Sequence, residues 1–118
     1  MLKRKLDEIS GTERDVWGPG WRSRRLIVAE DGLPYSLHVT VLDPGARLEF
    51  EYARHHETVY CIEGKGQISD LAIDDVATLE PGGVYSAGVG EPHEIVAFTE
   101  MTLVCVFSPP LEGTEEAD

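Results

Sequence analysis

Two windows of the chain concentrate titratable and coordinating side chains, Tyr52-Ala53-Arg54-His55-His56-Glu57 and the segment from Tyr85 to His93. Glu57 opens the run Thr-Val-Tyr-Cys-Ile-Glu-Gly, so its carboxylate belongs at the mouth of whatever that run lines. His93 follows the turn Gly90-Glu91-Pro92 and opens another run, with Tyr85 on the run before it. A carboxylate, a phenol and an imidazole at strand mouths are three donors able to converge on one point. Taken singly, each has an ordinary role: a solvated edge Glu, a turn His, a Tyr in the core wall. Taken together, with the turns spaced as they are, they point to a site.

The elements that must position these donors are short strands. From Arg25 onward the sequence reads RLIVAE, YSLHVTVL, RLEFEY, TVYCIEG, GQISDLAI, VATLEPG, VYSAG, HEIVAF and MTLVCVF. The separators are Asp31-Gly32, Asp43-Pro44-Gly45, Glu63-Gly64-Lys65-Gly66, Pro81-Gly82-Gly83 and the segment from Gly88 to Pro92, all rich in residues that build turns. Leu37, Val39 and Val41 alternate with Ser36, His38 and Thr40, the period of a strand. Closely spaced short strands predict an all-β sandwich or barrel. Helix is scarce; Leu2 to Ile9 is the best candidate, or a strand that pairs onto another subunit. The segment 109–118, after the last run, reads as a flexible tail.

Composition narrows the function. The 118 residues fit a single domain, 1–118, large enough to bury one core without disulfides. Asp plus Glu number 22 against 10 Lys plus Arg, a net charge of −12, which excludes a surface built to track phosphates and hence a nucleic-acid partner. No apolar run is long enough to span a bilayer, and the basic start MLKRKLDEIS turns acidic where a signal peptide would turn apolar, so the expected compartment is the cytoplasm and no membrane partner is expected. Cys61 and Cys105 lie in apolar runs and are expected to be reduced and buried.

Glu57 with the following Thr-Val-Tyr-Cys-Ile-Glu-Gly-Lys-Gly, then Pro81-Gly82-Gly83, then Gly90 and His93, resembles the two-motif pattern of cupins, small double-stranded β-helix (jelly-roll) barrels that commonly hold one divalent metal. The usual three-His-one-Glu site cannot be built here. Glu51 and Ala53 occupy the positions of the family's His-x-His pair, and Gly88 replaces the Pro that opens the second motif. The stretches GTERDV (from Gly11), WRSRRL (from Trp21), VYCIEG (from Val59), PGGVY (ending at Tyr85) and LVCVFSPPL (from Leu103) are similar to ectoine synthase, a cupin subfamily, over about residues 6 to 115.

That resemblance implies a metal, Fe(II) or another divalent transition ion, held by Glu57, Tyr85 and His93. It implies an enzyme, a carbon-oxygen lyase that closes the small molecule N-γ-acetyl-L-2,4-diaminobutyrate into a six-membered ring by expelling water, and a homodimer. It places Trp21, Ser23, Thr40, Cys105 and Phe107 around the substrate, with Tyr52, His55 and Glu115 as catalytic residues. The plausible physical roles are apolar walls for Trp21 and Phe107, hydroxyls for the substrate carboxylate from Ser23 and Thr40, proton transfer by Tyr52 or His55, and a carboxylate for the α-ammonium from Glu115. Cys105 joins by resemblance only, because an apolar run raises a thiol's pKa and disfavours a thiolate. In that family a His follows Glu115 by two residues and a glycine-bearing lid extends beyond, where this sequence has Ala117 and Asp118. The alternatives are a metal-bound cupin that binds a small polar ligand without turnover, or another iron cupin enzyme, an isomerase or a dioxygenase.

Overall fold

The computed structural model describes residues 1–113. Among them ten strands carry the fold: β1 (Asp15–Gly18), β2 (Trp21–Ile27), β3 (Ser36–Leu42), β4 (Arg47–Phe50), β5 (His56–Glu63), β6 (Gly66–Asp70), β7 (Asp75–Leu79), β8 (Val84–Ala87), β9 (His93–Ala97) and β10 (Met101–Ser108). They form two antiparallel sheets, a six-stranded one in the order β1-β2-β3-β10-β5-β8 and a four-stranded one in the order β4-β9-β6-β7. The chain crosses repeatedly between the sheets, as a jelly roll does, and the all-β expectation holds.

Three features differ from the sequence expectation. β1 and the first half of β2 precede the runs that hydrophobicity picks out; the hairpin Trp17-Gly18-Pro19-Gly20-Trp21 joins them, with Gly18 paired to Trp21. A Cβ on Gly18 would lie 2.2 Å from Cε2 of the Trp21 indole, so glycine is what lets that ring lie against the backbone. The N-terminal segment forms a 3-10 turn at Leu6–Glu8, neither an α-helix nor a strand. It is pinned by ion pairs: Asp31 accepts from Arg4 at 3.0 Å and from Arg14 at 2.9 Å. The Arg4 hydrogen bond, with Arg14 adding to it, holds the Asp31 carboxyl well below the usual carboxylate range despite burial.

The segment assigned to a flexible tail is packed in its first part. Leu111 is buried, its N–H donates to Ser36 Oγ at 3.0 Å, and its carbonyl accepts from Ala29 N–H at 2.8 Å. Burial of one large apolar side chain and two filled hydrogen bonds offset the cost of ordering this segment, a cost that the stiff Pro109-Pro110 pair lowers.

The inner face of the larger sheet is where the site forms. Cross-strand register lines up Arg25, His38, Cys105, Val59 and Tyr85 as one row from β2 to β8. The next row holds Ser23, Thr40, Leu103 and Cys61. Side chains two residues apart share a face, so Trp21, Ser23 and Arg25 all point inward and are buried. The apolar face of β3, Leu37, Val39 and Val41, points outward and is half-buried, while Ser36 and His38 are buried inside. The polarity is the reverse of an ordinary core strand because the barrel encloses a cavity.

Candidate active site

Glu57, the second residue of β5, and His93, the first of β9, belong to different sheets, and each is only 4% exposed. Oε1 of Glu57 lies 2.9 Å from Nε2 of His93, and the Tyr85 hydroxyl donates to the same oxygen at 3.4 Å. The three donors that the sequence sets far apart therefore meet at one oxygen. Nδ1 of His93 donates to the Glu91 carbonyl at 2.9 Å, which fixes the ring and aims Nε2 at Glu57. Both ring nitrogens thus face acceptors, and a proton must sit between Nε2 and Oε1. Burial opposes that charge, but the hydrogen bonds from Glu57 and Glu91 outweigh it and raise the His93 pKa above its ordinary 6.5. Burial and the neighbouring Glu57 charge push the Tyr85 phenol well above 10.

A cation could replace the shared protons. Carboxylate oxygen, phenol oxygen and imidazole nitrogen suit divalent transition metals, and a His fixed through its second nitrogen is the usual oriented ligand. Among the described residues no group of three or more His, Cys, Asp or Glu could hold a metal, so the phenol is needed as the third donor. Glu57 and Tyr85 line the central cavity of the barrel, which with its mouth encloses about 590 Å³ of empty space.

The opposite wall comes from β2 and β3. Trp21, Ser23, Thr40, Cys105 and Phe107, all named by the sequence, line the cavity, and Tyr52 does too. Thr40 donates to Ser23 Oγ at 3.3 Å and the Cys105 thiol reaches Thr40 Oγ1 at 3.7 Å. Burial, with Glu57 adding to it, raises the Cys105 pKa to about 12, so the thiol stays neutral. Tyr52 stacks on Phe50 at 5.9 Å between centroids and meets Phe107 edge-on at 5.2 Å. His55 is not among the cavity-lining residues. Its Nδ1 lies 2.7 Å from the Pro109 carbonyl, so it ties the β4–β5 connection to the end of β10. Glu115 lies outside the described residues.

Two polar cavity residues were not foreseen. Arg25 is 4% exposed and its Nε donates to Ser23 Oγ at 3.2 Å. His38, 2% exposed, packs its ring 5.1 Å from that of Phe107. Strand parity was the available signal: once Trp21 and Ser23 face inward, so must Arg25, and His38 shares a face with Thr40. The cavity is consequently bipolar. Three strand steps separate Arg25 on β2 from Glu57 on β5, about 14 Å along the curved sheet. Cys105 stands between them, close enough for both charges to act on its thiol.

A two-sheet barrel with its site inside, opened by Glu57 and His93, is a cupin. The same fold recurs in the Cupin_2 domain of an XRE-family transcriptional regulator from Enterobacter cloacae, with a TM-score of 0.65 at 19% identity over 78% of this chain and 99% of that one. The family model for ectoine synthase matches residues 1–118, and the chain belongs to that family. It is 47% identical to the L-ectoine synthase of Nocardia farcinica, over all of this chain and 90% of that protein. The crystal structure of ectoine synthase from P. lautus superposes with a TM-score of 0.92 at 38% identity, covering 98% of this chain and 83% of that one.

Proposed function

We propose that this protein is an ectoine-forming hydro-lyase that cyclises N-γ-acetyl-L-2,4-diaminobutyrate with loss of water, using Glu57, Tyr85 and His93 to hold Fe(II) or another divalent transition cation. The single observation that carries the reading is the bipolar cavity, with Arg25 on one wall and Glu57 and Tyr85 on another, His93 reaching Glu57 Oε1 from behind that wall. The family relatives favour this over a ligand-binding cupin without turnover, an isomerase or a dioxygenase.

The substrate is a zwitterion with an acetamide at its far end. Arg25 neutralises its carboxylate, and Ser23 and Thr40 offer hydroxyls beside it. That anchor directs the acetamide toward Glu57 and Tyr85 and folds the α-amine back onto the amide carbon, so that proximity supplies much of the acceleration. The α-ammonium first gives up one proton; then the N–C bond forms, the C–O bond breaks, the two protons left on the attacking amine end on the departing water, and the first proton returns to the amidine nitrogen of the product. In this reading Tyr52, whose ring packs against Phe50 and Phe107 at the cavity wall, passes a proton from the amine to the departing oxygen. When bound, the cation supplies Lewis acidity to the amide oxygen. Trp21, Phe107 and Leu42 exclude bulk water, which net dehydration in water demands.

The finer expectations belong to the same proposal. A homodimer is supported by the outer face of the larger sheet, where Tyr60, Ile62 and Val84 are exposed. A reducing, cytoplasmic setting is supported by the two free, buried cysteines, and no described helix is long and apolar enough to cross a membrane. The test is to supply anaerobic, Fe(II)-loaded protein with N-γ-acetyl-diaminobutyrate and follow ectoine by NMR. Product formation is the expected result, and binding without product would return the ligand-binding reading.

A further inference from the structure

His38 lines the cavity wall and keeps one polar atom open. Its Nε2 is buried and has no hydrogen-bond partner among the described residues, and the ring's neighbours are Phe107 and, across the strand pair, Arg25 and Cys105. An unpartnered buried nitrogen costs free energy that a fold does not ordinarily leave unmet, so the position anticipates a ligand group.

The neighbourhood says which group. Arg25 stands beside His38 in register, and the nearest carboxylate lining the cavity is Glu57, on the far side of Cys105. An ammonium group placed at His38 would meet the guanidinium charge. An anionic oxygen would meet a cation and an N–H together. A carboxylate has lone pairs for both, and one arm of the ligand then satisfies both side chains.

We propose, resting on the function argued above, that His38 is a specificity-determining residue that donates from Nε2 to the same substrate carboxylate that Arg25 neutralises. Burial and the Arg25 charge keep the ring neutral, with a pKa of about 3, so it contributes a directed hydrogen bond and no second positive charge. Its effect is discrimination: it rewards an ionised carboxylate over an uncharged amide at that position.

The test measures binding of ectoine and of its carboxamide analogue by calorimetry to the wild type, His38→Leu and His38→Gln, with thermal unfolding as a check on the fold. His38→Leu should weaken ectoine binding by about 10- to 100-fold, the loss of one hydrogen bond to a charged group, while the carboxamide is weakened far less. His38→Gln, which keeps a donor, should recover most of the affinity and selectivity. In kinetics the His38→Leu defect should fall on KM, with kcat nearly kept. Wild-type affinity in His38→Leu, or equal weakening of both ligands, overturns the role of His38 and leaves the proposed function standing. A wild type that binds neither ligand overturns both.

Discussion

Glu57 and His93 share a hydrogen bond of 2.9 Å although they lie at the starts of strands in different sheets, second in β5 and first in β9, and the Glu91 carbonyl holds the other nitrogen of the same imidazole. A cation held by the two would take the place of the proton between them. Loading the metal-free protein with a divalent transition ion should therefore release protons, and affinity should fall as pH falls. Titration in weak buffer with a pH indicator checks this, and proton-neutral loading would exclude these two residues as joint ligands.

Arg25 separates substrate binding from metal binding. Arg25→Met should raise KM by about 10- to 100-fold, as expected when a charge-assisted hydrogen bond is lost, while metal content stays at the wild-type level. Kinetics and metal analysis on the same preparation read both. An unchanged KM would move the carboxylate elsewhere in the cavity.

Gly18 sets the position of Trp21. In Gly18→Ala the new methyl would overlap the indole, so the ring must move out of the cavity wall. A stability loss of about 1–3 kcal/mol is expected from the overpacking, with a several-fold rise in KM. Urea unfolding and steady-state kinetics check it; retention of both values would show that the hairpin absorbs the methyl without moving Trp21.

His38 makes stability depend on pH. Its folded pKa, about 3, lies below the ordinary 6.5, so between these values the unfolded chain binds more protons than the folded one. This contribution is fully present above about pH 6.5 and is lost as pH falls toward about 3, by at most about 1.4 kcal/mol per pH unit. Urea unfolding of chelator-treated protein at about pH 7 and about pH 4.5 should show a smaller drop for His38→Gln than for wild type. Equal drops would mean that the ring is protonated where it sits.

Much of this architecture was legible before any coordinates, for identifiable reasons. Turn residues such as Asp43-Pro44-Gly45 and Pro81-Gly82-Gly83 have few structural uses, so they marked strand ends; Tyr85 and His93 stood beside such marks, and Glu57 stood at the head of the run Thr-Val-Tyr-Cys-Ile-Glu-Gly. The WRSRRL stretch made sense only in three dimensions. Alternate residues face opposite ways, with Trp21, Ser23 and Arg25 inside while Arg22 on the outer face pairs with Asp15 of the GTERDV stretch at 2.9 Å. Hydropathy gave no warning of a buried arginine, because burying a charge is costly unless a cavity and its ligand meet it. β1 was missed for a related reason. Its four residues DVWG are held by the hairpin and by Arg22, not by an apolar run.

The central claim, one cation shared by a carboxylate, a phenol and an imidazole, is tested most directly by parallel metal analysis and ectoine assay of wild type, Glu57→Ala, Tyr85→Phe and His93→Ala. Wild type should carry one divalent transition ion per chain and release ectoine. Each variant should remain folded by circular dichroism, lose the ion and lose product together. Full metal content in a folded Glu57→Ala or His93→Ala variant, or undiminished ectoine formation by the metal-depleted protein, would contradict the account.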